Sequence, residues 1–334
     1  MATTTQQTTD VPVRRRQLPE LLRDLVHADW RPYALIAALQ VLTAFVFLAN
    51  TASGVSSGFD KFPLDDGWIH MVYARSFAEN AQFWYNTGIP ESGLTSPLWA
   101  VVVGSTWFVL GAFGVGIVAV AKLLGIAFAI AAGWLTMRIV WQLSRQRRLG
   151  VLAGALVAIE PSFAFAAVSG MEVQLFSLLA LSAVWMFLQG RIRTTGVLFG
   201  LMILARPEGY VIFGIGLATV IARRLWQRDR LELISGDDVR ELVALAGPTL
   251  LLGGAWAIYN YTVNGTPWPN TYLAKTQDMG TIPLGNVTNV VQGYYYHLSF
   301  FTGAAFPVSV LAVVVGGLWV LRTYSFAGVP LILM

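Results

Sequence analysis

The chain has 334 residues, of which 56% are hydrophobic and 12% are charged, and its mean hydropathy is +0.61. Soluble domains carry about 25% charged residues, so the composition excludes an ordinary soluble fold and predicts an all-α polytopic membrane protein. The net charge of +4 does not indicate nucleic-acid binding, because the basic residues cluster in short connectors, as they do in cytoplasmic loops. The sequence contains no cysteine, which excludes disulfides, thiolate metal sites and cysteine nucleophiles.

Apolar segments and two long polar connectors divide the chain. Residues 1–30 predict a polar and basic cytoplasmic tail, and residues 31–325 predict a transmembrane domain. Apolar segments are predicted near 33–50, 98–113, 116–142, 149–167, 172–189, 194–205, 209–225, 241–262 and 304–321. The polar connectors, 51–97 and 263–303, are too long to be simple turns. Residues 326–334 begin a further apolar segment, so the chain is expected to be truncated.

The basic connectors predict which side of the membrane each segment faces. Cytoplasmic positions are assigned to Arg14–Arg16, 145–148, 191–193 and 223–230, which puts both polar connectors outside. Two full crossings between 98 and 142 would move residues 145–148 to the outside. Segment 98–113 is shorter than the roughly 20 residues of a full span, so we expect it to enter the membrane only in part.

Two adjacent carboxylates, Asp65 and Asp66, lie in the first polar connector at the start of a predicted short helix. Asp66 is interpreted as the helix N-cap, which gives one carboxylate a structural role. The second carboxylate is left without one, and a pair of charges beside a membrane suits a general base. His70 and Tyr73 follow Asp66 at i+4 and i+7, on the same helical face.

Short polar motifs interrupt the later apolar segments. Ser96 followed by Pro97 predicts a helix start after a tight turn. Ser169-Gly-Met-Glu172 and Arg206-Pro-Glu-Gly209 put charges where one helix ends and another begins. Two interpretations remain open: Glu172 and Arg206 form a structural ion pair across the bundle, or Arg206 binds a phosphate through its planar guanidinium.

The second polar connector combines turns with aromatic residues. It carries Trp268, Tyr272 and a lone cation, Lys275, followed by Tyr294-Tyr-Tyr-His297. An interfacial aromatic belt explains the tyrosines. The three histidines of the chain are too widely spaced in sequence to predict a metal centre.

Taken in order, these motifs resemble the GT-C superfamily of membrane glycosyltransferases, and most closely its bacterial arabinofuranosyl- and mannosyltransferase-like members. The motifs are Asp65-Asp66 with the helix to Arg75, Gly93-Leu-Thr-Ser-Pro-Leu-Trp99, Ser169-Gly-Met-Glu172, Arg206-Pro-Glu-Gly209 and Asn270-Thr-Tyr-Leu-Ala-Lys275. The resemblance covers roughly residues 30–325. It implies a GT-C-type transmembrane helix bundle whose extracytoplasmic loop carries short juxtamembrane helices.

The resemblance also implies a multi-pass enzyme of the cell (plasma) membrane with its active site on the extracytoplasmic side. Such an enzyme moves a hexosyl or pentosyl group, with inversion, from a polyprenyl-phosphate donor to a hydroxyl of a glycan, lipid or protein acceptor in cell-envelope synthesis. It implies no cofactor of its own and leaves a divalent cation open. It implies no nucleic-acid partner.

The family's roles carry over to particular residues. Asp65 would be the general base, and Asp66 would position the acceptor or cap the helix. The donor phosphate would be bound by Arg206, Lys275, Arg75 and Lys122. Substrate contacts would come from His70, Tyr73, Glu172, Glu208, Trp268, Asn270, Tyr272 and His297, and sugar faces would stack on Trp68, Trp99 or Trp268.

A transporter or flippase for a lipid-linked or amphiphilic substrate is the alternative. It would share the cationic face, the broken helices and the intramembrane charges. The sequence has no visible inverted repeat, which favours the transferase.

Overall fold

The computed structural model of the chain describes residues 29–49, 58–226 and 236–271. Within these ranges the secondary structure is helical and contains no strand, which confirms the predicted all-α class. The predictions for the N-terminal tail, for most of connector 263–303, for segment 304–321 and for 326–334 lie outside the described residues.

The described helices follow the predicted apolar segments, and the short helix predicted in the first polar connector is also present. They are α1 Arg31–Ala49, α2 Asp65–Asn80, α3 Pro97–Leu110, α4 Ile117–Ser144, α5 Arg147–Ile159, α6 Pro161–Val168, α7 Val173–Leu188, α8 Ile192–Ala205, α9 Gly209–Trp226 and α10 Gly236–Asn264. A short 3-10 turn, Gly111–Phe113, ends α3.

Three of the described helices are long and apolar enough to cross a membrane: Arg31–Ala49, Ile117–Ser144 and Val239–Asn264. A fourth span results if α5 and α6 are taken as one, since they meet at a bend of 56°. The helices α3, α7 and α8 have 14, 16 and 14 residues, fewer than the roughly 20 of a full perpendicular span. The apolar helices therefore support membrane insertion, and the short α3 agrees with the partial entry expected of segment 98–113.

One predicted apolar helix is divided into two helices in the structure. The sequence predicts a single apolar helix near 149–167, whereas the structure divides it at Glu160 into α5 and α6. The Glu160 carboxylate accepts the backbone N–H groups of Ser162 and Phe163, and Pro161 occupies the first position of α6. A capping carboxylate followed by proline is a helix-start signal, and it overrides the continuous apolar run.

The amphipathic helix α2 is held close to the bundle at two glycines. A Cβ at Gly104 of α3 would lie 2.4 Å from the carbonyl oxygen of Ala74, so the α2 and α3 backbones touch there. A Cβ at Gly67 would lie 2.6 Å from the carbonyl oxygen of Ser169. The first turn of α2 therefore rests on the connector between α6 and α7, which fixes where its acidic residues lie.

Other connectors meet at the same part of the fold. The ring N–H of buried Trp99 donates to the carbonyl of Gly170 over 2.9 Å. The backbone N–H of Asn270 donates to the Ser92 carbonyl over 2.8 Å, and the Thr271 hydroxyl donates to the Gly93 carbonyl over 2.8 Å. The structure thus joins the first polar connector to the start of the second.

Candidate functional site

Asp65 and Asp66 occupy the first turn of α2, where the positive end of the helix dipole favours carboxylates. The N-cap is Leu64, and no side chain makes a capping hydrogen bond, so the interpretation of Asp66 as the N-cap is wrong. The helix begins two residues earlier than that interpretation required. Both side chains are exposed, and among the described residues neither makes a hydrogen bond or an ion pair.

His70, one turn further along α2, turns inward and contacts Glu172. Its Nε2 atom lies 2.9 Å from Glu172 Oε2, and the two residues are 6% and 4% exposed. Glu172 precedes α7 but does not cap it, because its carboxylate points to His70. The Nδ1 atom of His70 has no hydrogen-bond partner among the described residues.

Arg206 completes the group from the end of α8. Its Nη1 lies 3.2 Å from Glu172 Oε1, so the ion pair between these two residues is confirmed. Its Nη2 and Nε donate to the two oxygens of Glu208 over 2.7 and 3.2 Å. The charged cluster (His70, Glu172, Arg206 and Glu208) therefore joins α2 to the starts of α7 and α9.

The electrostatics of the charged cluster keep its carboxylates ionised. Burial raises the pKa of Glu172, but the His70 contact and the charges of His70 and Arg206 outweigh burial and hold that pKa below its usual value. Burial also raises the pKa of Glu208, but the hydrogen bonds from Arg206, a backbone hydrogen bond and the charge of Arg206 together outweigh burial and lower that pKa. The guanidinium of Arg206 contacts the carboxylates of both Glu172 and Glu208, so an added phosphate has to compete with Glu208 for Arg206.

Tyr73 lies on the buried side of α2 and packs into the first polar connector. A Cβ at Gly93 would lie 2.6 Å from the Tyr73 hydroxyl, and the ring of Tyr85 lies 5.8 Å from the Tyr73 ring. Burial raises the pKa of Tyr73, with a smaller contribution from Glu91. Tyr73 therefore stays protonated and acts as a neutral hydroxyl at neutral pH.

Residues at the start of the second connector lie against the part of the first connector that contacts Tyr73. Asn270 accepts a hydrogen bond from the Asn264 side chain over 2.7 Å, and its own N–H is bound to Ser92. The ring of Trp268 is partly exposed and makes an edge contact with Tyr210 at 5.8 Å. Among the three tryptophans considered for sugar stacking, Trp68 and Trp268 are exposed, whereas Trp99 is fully buried and cannot stack on a sugar.

The remaining predicted cations lie in different surroundings. Arg75 is exposed, and its guanidinium carbon lies 5.8 Å from the centre of the Trp107 ring. Lys122 is 4% exposed, and its ammonium donates to the carbonyls of Gly58 and Lys61 over 2.5 and 2.6 Å. Lys275, Tyr272 and His297 lie outside the described residues. Within the described part of the chain, no group of three or more metal-ligating side chains is found.

Two features of the site were not predicted from the sequence. Ser92 and Ser96 are fully buried, and their hydroxyls have no hydrogen-bond partner among the described residues. Phe62 packs against Gly67, Gly170 and Trp68 beneath the first turn of α2. The burial of these hydroxyls and the packing of Phe62 depend on contacts between connectors, which a local sequence pattern does not report.

The comparisons with known proteins add no relative. The chain matches no protein-family model, and no curated protein resembles it significantly in sequence.

Proposed function

We propose that the chain is an integral-membrane glycosyltransferase of the GT-C type that acts on a polyprenyl-phosphate-linked sugar. The observation that carries the proposal is the pair Asp65 and Asp66. Both carboxylates are exposed and uncommitted, one turn before a helix position that is tied to the buried charged cluster. Exposed carboxylates on a rigidly held helix are suited to taking a proton from a bound hydroxyl.

In the proposed reaction, Asp65 takes the proton of an acceptor hydroxyl. The hydroxyl oxygen attacks the anomeric carbon of the donor sugar, and the bond between that carbon and the phosphate oxygen breaks. The electron pair leaves with the polyprenyl phosphate, so the configuration at the anomeric carbon is inverted. Asp66 accepts a second hydrogen bond from the acceptor and orients it.

Arg206 is the proposed phosphate ligand among the described residues. Glu172 holds the guanidinium from the buried side, while the side chain of Glu208 is 55% exposed and can rotate away. The donor phosphate then takes the place of Glu208. Because the phosphate gains negative charge as the sugar leaves, its interaction with Arg206 strengthens in the transition state.

The test is sugar transfer in membranes that contain the full chain, with a panel of polyprenyl-phosphate sugars as donors. We expect Asp65→Asn to lower kcat by on the order of 100-fold or more, since it removes the base. Asp66→Asn is expected to raise KM for the acceptor. Glu79→Gln is the matched control, because Glu79 is an exposed acid at the other end of α2.

If Asp65→Asn keeps the wild-type kcat with every donor of the panel, Asp65 is not the general base. A transporter remains the second candidate, and the bent pair α5–α6 favours it because transporters bind substrates at broken helices. If a lipid-linked sugar crosses liposome membranes without chemical change, and does so at equal rates with wild type and Asp65→Asn, the protein is a transporter.

A further inference from the structure

Lys122 is a buried lysine near the start of the long helix α4. It lies in the second turn of α4 and is 4% exposed. A buried ammonium group is costly unless its N–H groups are bound. Two of its N–H groups are bound by the carbonyls of Gly58 and Lys61, which belong to the turn before α2.

The turn that Lys122 holds is coupled to the start of α2 by Phe62. The ammonium lies 5.7 Å from the centre of the Phe62 ring, a distance typical of a cation–π contact. The Phe62 ring in turn lies 5.2 Å from that of Trp68. A Cβ at Gly170 would lie 2.6 Å from Phe62 and one at Gly67 would lie 3.1 Å from it, so the ring fills the space beneath the first turn.

We propose that Lys122 is a positioning residue for the carboxylates of α2. It fastens residues 58–61 to α4 and so fixes the direction in which the chain enters α2 at Asp65 and Asp66. Its catalytic consequence rests on the proposed glycosyl transfer, whereas the anchoring itself does not. This role replaces phosphate binding for Lys122, because the ammonium is turned into the protein and is occupied by backbone oxygens.

The anchoring is tested by local mobility. The chain has no cysteine, so one introduced cysteine carries a spin label without background. Phe59→Cys, at a side chain that is 61% exposed, reports on the anchored turn. Phe113→Cys, which is 80% exposed in the connector before α4, is the matched control.

We expect Lys122→Met to sharpen the spectrum of the label at 59 and to leave the label at 113 unchanged. Unchanged spectra at both sites in folded protein would overturn the proposal, and so would equal sharpening at both, which means general loosening. If Lys122→Met does not fold, Lys122→Gln shortens the donor group and is judged by the same two outcomes. Lys122→Arg keeps the donors and is expected to restrict the label at 59 more than Lys122→Met does.

A double-mutant cycle tests the consequence for transfer. A displaced base lowers kcat, and we expect a loss on the order of 100-fold in Lys122→Met with little change in donor KM. Because Lys122 acts through Asp65, adding Lys122→Met to Asp65→Asn should cost little more than Asp65→Asn alone. Additive losses with a raised donor KM would overturn positioning in favour of phosphate binding. Mobility changes without any transferase activity in the wild type would refute the proposed function and leave the anchor intact.

Discussion

At the scale of single residues, the two carboxylates that hold Arg206 have different roles. Glu172 is buried and contacts both His70 and Arg206, whereas Glu208 is exposed and contacts Arg206 from the solvent side. Removing one partner of a buried ion pair leaves an uncompensated charge, which costs far more than the loss of an exposed pair.

We therefore predict that two matched substitutions affect different properties, one the stability of the protein and the other its affinity for the donor. Glu172→Gln is expected to lower the free energy of unfolding by about 3 kcal/mol, because Arg206 stays partly buried with a weakened partner. Glu208→Gln is expected to change it little and to lower KM for the donor, since the phosphate no longer competes with a carboxylate. Thermal unfolding in detergent and donor titration measure the two effects, and equal destabilisation by both would contradict the assigned roles.

The contribution of Glu172 to the stability of the protein should also depend on pH. The pKa of Glu172 is lowered in the folded protein, so its stabilisation is fully present above its unfolded value of 4.5. That stabilisation is lost as the pH falls through the lower folded pKa. At pH values below 4.5, the thermal unfolding midpoint should decrease more steeply with falling pH in the wild type than in Glu172→Gln. Parallel plots of midpoint against pH for the two proteins would exclude this contribution of Glu172.

Sequence reasoning reached part of this site and missed the rest for a physical reason. Helical spacing predicts that His70 follows Asp66 by one turn, and the structure has both on α2. The partner of His70 comes from another connector, and no local pattern reports such a contact. The Glu172–Arg206 pair was one of two open interpretations, because charges at helix breaks serve structure and ligands alike.

At the scale of helices, apolar runs predicted where helices exist more reliably than how they begin. Ser96 and Pro97 mark the start of α3 as predicted, although Ser96 makes no side-chain capping hydrogen bond. The predicted start of α2 was wrong by two residues, because an aspartate is favourable both at the N-cap and in the first turn.

The break between α5 and α6 gives a test at this scale. The Glu160 carboxylate accepts the N–H groups of Ser162 and Phe163, which would otherwise be unsatisfied at the start of α6. Glu160→Ala is expected to lower the free energy of unfolding by about 1 kcal/mol, whereas Glu160→Asp keeps a capping carboxylate and should cost less. Thermal unfolding of both variants measures this, and equal losses would mean that the cap does not hold the break.

At the scale of the whole molecule, the fold joins two connectors that are far apart in the sequence. The Ser92 and Gly93 carbonyls accept hydrogen bonds from Asn270 and Thr271, close to the Tyr73 hydroxyl. The sequence predicted only that both connectors face the same side, because charge distribution reports sides and not contacts. These hydrogen bonds set the distance between α2 and the end of α10, and hence the width of any substrate site between them.

Cross-linking tests this contact directly in a chain without native cysteines. We expect Glu91→Cys with Asn270→Cys to be joined in high yield by a short thiol-specific cross-linker, because Glu91 is partly exposed and precedes Ser92, whose carbonyl accepts the Asn270 backbone N–H over 2.8 Å. Glu91→Cys with Thr262→Cys, at an exposed position further back on α10, is the control and should react poorly. Cleavage between the paired sites followed by electrophoresis detects the link as fragments that stay together. Equal yields for the two pairs would show that the connectors do not meet at Ser92, and the site would then have to be built from α2 and the charged cluster alone.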